Sequence, residues 1–320
     1  MSAPVFRPAL LHPRYWPLWF GLGVLWLVVR LPYAVLMAMG RLLGRGMFIF
    51  MPGRRRVAEI NLALCFPQWS DERRAQLLRD NFESNGIALF ETAMAWWWPS
   101  DRLRRLARVD GLEHLQQAAS AGQGVVLISL HFTTLELGAA LLGQRVTIDG
   151  MYREHRNPVF DLVQRRGRER HNADARAIER EDVRAMFNSL RAGRAIWYAP
   201  DQDYGRKASV FVPFFGVMAA TVTATSTFAR LGKAQVIPFI QTRLPDGQGY
   251  QLTVHPPLTD FPVGDEVADA LRINQWIEQV IFEQPEQYMW VHRRFKTRPE
   301  GEERYYARRP KRKRTPRIRP

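Results

Sequence analysis

The chain has 320 residues, of which 46% are hydrophobic, so it can fold around a substantial core as one large domain or two smaller ones. Its formal net charge of +15 at pH 7 predicts an anionic partner, namely a nucleic acid, an anionic membrane surface, or an acidic protein or substrate. The lone cysteine, Cys65, excludes an intramolecular disulfide and any metal site built from several thiolates.

The first 45 residues have the composition of an uncleaved membrane anchor. Residues 15–29 are almost wholly apolar, and the apolar stretch resumes after Arg30 and Pro32. A span needs about 20 residues, so the stretch predicts one membrane helix over residues 17–39, with a helix lying in the interface as the alternative. No A-x-A-like cleavage site indicates a signal peptide. Arginines are more numerous after the stretch than before it, which predicts a single pass with the main domain in the cytoplasm.

The remainder of the chain predicts a domain over residues 46–305, helical to residue 120 and α/β from 121 onwards. After residue 120 the pattern predicts strands at 125–128, 146–152 and 195–199, helices at 158–170, 181–191, 221–231 and 267–282, and a hairpin of 235–243 with 250–254. Such alternation is typical of a sheet covered by helices on both faces. Residues 306–320 are strongly basic and predict a disordered tail, either a nucleic-acid arm, a patch for anionic headgroups or a merely solvated segment.

The first candidate for chemistry is His131, which stands where the strand 125–128 stops and a helix starts. In open α/β sheets this is the edge where ligands bind. Glu136 follows on the first turn of that helix, so the pair can act as a general base and the carboxylate that orients it. The alternative is structural, because Thr133-x-x-Glu136 also fits a helix capping box. Spacing alone leaves both interpretations open.

Two further segments follow strands and are expected at the same edge. Arg153 and Asn157 come after the strand 146–152, and Arg165, Arg166 and Arg168 crowd the end of the next helix, where they suit a phosphate or form a solvated basic face. Two carboxylates and a neighbouring tyrosine come after the strand 195–199: Asp201, Asp203 and Tyr204. A metal between those carboxylates is disfavoured, because no third acidic residue stands nearby at a ligand spacing.

Taken in order, six blocks resemble the late acyltransferases of lipid A biosynthesis, most of all the lauroyltransferase type. The blocks are HFTTLE (131–136), YR with NP (152–153, 157–158), RRGR (165–168), WYAPDQDYG (197–205), VFVPFFG (210–216) and PEQYMWVHRRFKTR (285–298). The H-x4-[DE] motif of that family corresponds to His131 and Glu136. Gln202 departs from the pattern, since a histidine is expected there.

The resemblance implies a glycerol-phosphate-acyltransferase-like fold, a mixed sheet covered by helices, with an N-terminal helix in the inner membrane. The donor would be an acyl group, laurate, on acyl carrier protein, and the acceptor a Kdo-bearing lipid A precursor with two phosphates. The alternatives are a myristoyl or palmitoleoyl donor or another acceptor and, outside the class, a membrane-associated nucleic-acid-binding protein. No metal, cofactor or nucleic acid is implied. The residues expected to bind substrate are Arg153, Asn157, Arg165, Arg166, Arg168, Asp201, Asp203 and Tyr204.

Overall fold

The computed structural model describes residues 6–179 and 181–307, and most of the predicted basic tail lies outside the described residues. The apolar N-terminal stretch forms two helices, α1 (Trp16–Val28) and α2 (Tyr33–Phe50). The single continuous helix expected over residues 17–39 is therefore wrong, because the chain leaves helical geometry between them and Pro32 caps α2. Helix α1 is about 20 Å long at 1.5 Å per residue, too short to span a bilayer. Among the described helices, α2 alone is long and apolar enough to do so.

Helix α2 packs closely along a long helix of the main domain, α4 (Asp71–Trp97). Glycines make the approach possible: a Cβ added at Gly44 would lie 2.2 Å from the carbonyl oxygen of Phe82, and one at Gly86 would lie 2.2 Å from that of Gly40. The opposite side of the two N-terminal helices is exposed and apolar. We call it the outward apolar face, formed by Trp16, Phe20, Leu27, Leu42, Ile49 and Phe50.

The helical region up to residue 120 contains α3 (Pro52–Cys65), α4, α5 (Ser100–Arg104) and α6 (Leu112–Ser120). It also contains a strand that the sequence does not predict, β1 (Ala107–Asp110), which pairs in parallel with the last strand of the sheet. Its four residues alternate between exposed and half-buried positions at the sheet edge, so they carry no run of apolar side chains to signal a strand.

A seven-stranded mixed sheet forms the centre of the domain, in the order β1-β9-β8-β2-β5-β3-β4. Its other strands are β2 (Val125–Ile128), β3 (Ile148–Tyr152), β4 (Ala177–Glu179), β5 (Ala195–Tyr198), β8 (Gln235–Arg243) and β9 (Tyr250–Val254). All neighbours run parallel except β8 and β9, which form the predicted antiparallel hairpin. The helices interleaved with them are α7 (Leu135–Gly143), α8 (Pro158–Glu169), α9 (Val183–Arg191), α10 (Ala224–Gly232) and α11 (Glu266–Glu283). The predicted α/β architecture is confirmed.

A second, two-stranded sheet lies outside this order and consists of β6 (Ser209–Phe214) and β7 (Val217–Val222). The sequence predicts no hairpin here and starts the next helix too early, at Thr221. Small and β-branched residues, as in Ala219–Val222, suit either a helix or a strand, and the positive φ of Phe215 and Gly216 in the turn decides for a hairpin.

Strand β2 is buried on both faces and therefore fixes the start of the loop that carries His131. Val126 and Ile128 belong to the hydrophobic cluster on one side of the sheet, and Val125 and Leu127 to the cluster on the other. Parallel strands covered by helices have this continuous apolar character. The loop that follows, which carries His131, thus leaves from a rigid position at the carboxyl edge of the sheet.

Candidate active site

The loops after β2 and β5 bring His131 and Asp201 together. The two strands are parallel neighbours, so both loops leave from the same edge of the sheet. His131 Nδ1 donates to Asp201 Oδ1 at 2.7 Å, and the backbone N–H of His131 donates to Asp201 Oδ2 at 3.0 Å. The Asp201 carboxylate is fully buried, whereas 19% of the His131 side chain is exposed. With the proton held on Nδ1, Nε2 is the basic atom of the ring.

The same contact sets the charge preference of both groups. Burial lowers the pKa of His131, but the Asp201 carboxylate raises it more, and the net result lies above the ordinary value of histidine. Burial raises the pKa of Asp201, and the contacts with His131 reverse this and hold it below its ordinary value. The arrangement stabilises an imidazolium, which is what a general base becomes once it has taken a proton.

The loop that carries His131 is held on three sides. The carbonyl oxygen of His131 accepts from the backbone N–H of Met289 at 3.0 Å, and the backbone N–H of Thr133 donates to the carbonyl of Gln287 at 2.7 Å. Ser129 Oγ donates to Gln241 Oε1 on β8 at 2.9 Å. The histidine is therefore pre-organised by the fold rather than by its own rotamer preference.

Glu136 does not hold His131 in the way that the spacing predicted. Its two carboxylate oxygens accept from Nε and Nη2 of Arg168 on α8, with the Nε contact at 3.0 Å. The expected partnership of His131 with Glu136 is thus corrected to His131 with Asp201. The reason is topological: Glu136 lies on the first turn of α7, which turns its side chain towards α8.

An apolar cavity of about 160 Å³ reaches the pair only through Trp197, since neither His131 nor Asp201 lines it. Glu136, Arg168 and Trp197 line it, and the ring of Trp197 stands edge-on to His131 with centroids 6.2 Å apart. The rest of the lining is largely small or apolar and includes Ala139, Ala140, Gly143, Gly150, Met151 and Phe239. A Cβ added at Gly143 or Gly150 would meet no atom within 4 Å. The cavity has the chemistry of a site for a hydrocarbon chain.

The other predicted residues lie on the loops after β3 and β5 and on α8. Arg153 is exposed after β3, and Arg166 is exposed on α8. The Asn157 side chain caps α8 by accepting from the backbone N–H of Val159 at 3.0 Å, which is a structural role. The Arg165 guanidinium lies over a tyrosine ring and 3.4 Å from the Glu169 carboxylate.

Asp203 and Asp201 face different partners, so they do not form the two-carboxylate arrangement of a metal site. Asp203 accepts from the backbone N–H and the hydroxyl of Thr297, at 2.6 and 2.8 Å. Tyr204 beside it is half exposed. In residues 6–179 and 181–307 no group of three or more histidine, cysteine, aspartate or glutamate side chains is arranged to hold a metal ion.

The sequence reasoning missed His292, which approaches the pair from the C-terminal segment. Burial lowers its pKa to about 4, and His131 and Asp201 are near enough to contribute opposing charge effects. The ring is therefore neutral at pH 7, and its buried Nδ1 has no hydrogen-bond partner within the described part of the chain. Its block, PEQYMWVHRRFKTR, carries no spacing that signals a role, since the fold alone brings it to His131.

Comparison with known proteins identifies the family of this chain. The family model for bacterial lipid A biosynthesis acyltransferases matches residues 3–297. The chain is 46% identical over 301 residues to a lipid A biosynthesis lauroyltransferase of Escherichia coli (strain K12), covering 94% of this chain and 98% of that protein. It is 45% identical over 302 residues to a palmitoleoyltransferase from the same strain, with the same coverage, and 30% identical over 314 residues to its myristoyltransferase, with 95% of this chain and 94% of that protein covered. The chain belongs to the family of bacterial lipid A biosynthesis acyltransferases and is an acyltransferase.

Proposed function

We propose that this acyltransferase moves a lauroyl chain from acyl carrier protein to a 3-hydroxyacyl hydroxyl of a Kdo-bearing, doubly phosphorylated lipid A precursor. The observation that supports this most is the His131–Asp201 pair: His131 Nε2 makes no hydrogen bond within the described residues, and Trp197, which contacts His131, lines an apolar cavity. The 46% identical relative is a lauroyltransferase, which favours laurate as the donor chain.

In the proposed mechanism His131 Nε2 takes the proton of the acceptor hydroxyl as its oxygen attacks the thioester carbonyl. The resulting imidazolium is stabilised by the buried Asp201 carboxylate. The C–S bond then breaks as the new ester forms, and the departing sulfur receives the proton from His131. Positioned base catalysis of this kind contributes about 10²–10⁴-fold to a rate. The cycle returns His131 to its neutral form and needs no metal or cofactor.

We assign Glu136 a role that runs through Arg168. The carboxylate holds the guanidinium in a fixed, bidentate geometry at the cavity wall. Burial lowers the pKa of Arg168 and Glu136 raises it more, so this side chain is a permanent cation. A fixed cation beside the bound thioester would stabilise the negative charge that develops on its oxygen.

The cavity is the proposed site of the donor acyl chain. Its lining of glycines and alanines leaves room along α7 and β3 that larger side chains would fill. The depth of this space then selects the chain length, because each methylene is worth about 1–3 kcal/mol in a hydrophobic pocket. The palmitoleoyl chain is the second candidate donor, since a palmitoleoyltransferase is 45% identical to this chain.

Exposed basic residues after β3 and on α8 are the proposed contacts for the acceptor. We propose that the exposed Arg153 and Arg166 contact its anionic groups and that the half-exposed Tyr204 makes a polar contact with it. Asn157, Arg165 and Asp203 are held by the protein itself, and we propose that they support these loops rather than touch the ligand.

We propose that the outward apolar face contacts the inner membrane and that the catalytic domain lies on its cytoplasmic side. The acceptor proposed above is a lipid, and the exposed Trp16, Phe20 and Phe50 suit a bilayer interface. Because α2 is packed along α4, the domain is held directly against the bilayer. The single-pass topology stays a prediction.

The test is incubation of the purified protein with the precursor and carrier proteins bearing different acyl chains, with the product weighed by mass spectrometry. A mass gain of one lauroyl group, lost in His131→Ala, supports the proposal. A gain with palmitoleate in place of laurate establishes the second candidate, and no gain with any donor contradicts the reaction itself.

A further inference from the structure

A groove on the C-terminal segment is lined by basic side chains that the mechanism above does not use. We call it the C-terminal groove, and its exposed basic residues are Arg206, Arg293, Lys296 and Arg304. Its wall also contains Thr297 and Tyr306. The guanidinium of Arg293 lies 5.9 Å from the ring centre of Tyr306, which gives the cation an aromatic support.

The groove is tied to the loop after β5, which carries Asp201. Asp203, two residues after Asp201, accepts from the backbone N–H of Thr297 at 2.6 Å, and Lys296 Nζ donates to the carbonyl of Asp203 at 3.4 Å. A ligand held in the groove therefore reaches the loop that positions His131.

Lys296 Nζ lies 3.9 Å from Asp203 Oδ1, but the exposed arginines of the groove have no carboxylate partner among the described residues. Arg298 is buried and paired with Glu302, so it contributes structure rather than a binding site. Within residues 6–179 and 181–307 no ion pair joins Arg206, Arg293 or Arg304 to a carboxylate, and the remaining acidic residue of the wall is Glu300. Like charges placed this closely are unfavourable unless an anion balances them.

The groove also adjoins the outward apolar face. Helix α3 begins directly after the exposed Ile49 and Phe50, and its first turns reach the C-terminal segment: Arg54 Nη1 donates to the carbonyl of Val291 at 3.3 Å, and Arg56 Nη2 to that of Ala307 at 3.1 Å. Ala307 lines the groove. A site beside a membrane-facing surface meets the headgroups of lipids.

We propose that the C-terminal groove binds a phosphate group on the headgroup of the lipid acceptor. This rests on the proposed function, which supplies an acceptor with two phosphates, and it adds a site to the basic residues of α8. Arginine matches the oxygens of a phosphate with two parallel N–H donors, and the position beside the apolar face favours a phosphate carried by a membrane lipid over one carried by a soluble protein.

The experiment compares Arg293→Gln, Arg304→Gln and the double variant in neutral detergent micelles, with the phosphorylated acceptor and with its dephosphorylated form. Arg184→Gln is the matched control, because Arg184 is exposed on α9 and does not line the groove. The double variant should raise KM for the phosphorylated acceptor about tenfold or more, the cost of lost charge-assisted hydrogen bonds. Its KM for the dephosphorylated acceptor and for the acyl carrier protein should equal that of wild type.

Three results overturn the proposal. An unchanged KM in the double variant would show that the groove does not bind the acceptor. An equal increase in KM for both acceptors would show that the groove does not recognise the phosphate. An increase in KM for the acyl carrier protein alone makes the groove a carrier-docking surface instead. If wild type transfers no acyl group, the proposed function fails. Equilibrium binding of the two acceptor forms to wild type and to the double variant then tests separately whether the groove binds the phosphate.

Discussion

Replacement of Asp201 by asparagine tests whether Asp201 or Glu136 is the carboxylate that supports His131 as the base. Asp201 accepts two hydrogen bonds from His131, one from the ring and one from the backbone. In Asp201→Asn the amide oxygen must face the backbone N–H, which can only donate, so the amide nitrogen faces Nδ1. Nδ1 is then an acceptor, the ring proton moves to Nε2, and the base loses its basic atom.

The expected loss in kcat is about 10²–10⁴-fold, the full contribution of a positioned general base. A second effect follows from charge. Wild-type His131 must be neutral to act, and the Asp201 carboxylate holds its pKa above the ordinary value, so the rate falls as the pH drops through that raised pKa. Without the carboxylate, burial is left to lower the pKa, and the remaining activity should decline only at lower pH.

The assay is the pH profile of kcat/KM for acyl transfer in Asp201→Asn, Glu136→Gln and the control Asp203→Asn. Asp203 stands on the same loop and is also buried, but its partner is Thr297. Asp203→Asn should therefore lose stability without shifting the acidic limb. A kcat near that of wild type in Asp201→Asn, or a shift of the acidic limb in Glu136→Gln instead, would refute the assignment of Asp201.

Three further predictions concern the cavity, the N-terminal helices and a buried ion pair. Gly150→Leu projects its side chain into open space at the cavity and should turn the preference, read by mass spectrometry, towards shorter acyl donors by about tenfold or more, since each methylene is worth about 1–3 kcal/mol. Gly44→Leu should detach α2 from α4 and lower the unfolding midpoint, because its Cβ would lie 2.2 Å from the backbone of α4. Gly46→Leu is the control for both glycine variants: its Cβ meets no atom within 4 Å, so it should change neither the donor preference nor the midpoint. Glu91→Gln should reduce the free energy of unfolding by about 3–5 kcal/mol in a denaturant titration, because it leaves the largely buried Arg243 guanidinium, now 2.7 Å from Glu91, without its counter-charge. A Glu91→Gln variant as stable as wild type would contradict the last of these.

The sequence could predict the elements whose side chains face one environment along their length. Strand β2 is buried on both faces, and α11 keeps a regular apolar stripe, so composition and period identify both. It could not predict β1 or β7, which are short and take their stability from a neighbouring strand. Nor could it place the end of the membrane-like stretch, because the packing of Gly44 against α4 is a contact between segments far apart in the chain.

The site shows the same division between local and long-range information. His131 was accessible to reasoning because a polar residue at a strand end is a local pattern. Its hydrogen-bond partner could not be predicted, because the carboxylate nearer in sequence is not the one that it contacts. Glu136 is five residues from His131, and Asp201 is seventy. The pairing of β2 with β5 decides between them, since it places the two loops at one edge while the first turn of α7 directs Glu136 to Arg168. In this chain His131 and Glu136 therefore belong to two neighbouring ion pairs: His131–Asp201, which sets the charge state of the proposed base, and Glu136–Arg168, which fixes a cation at the wall of the proposed acyl cavity. Variants of either pair should be interpreted with both in view.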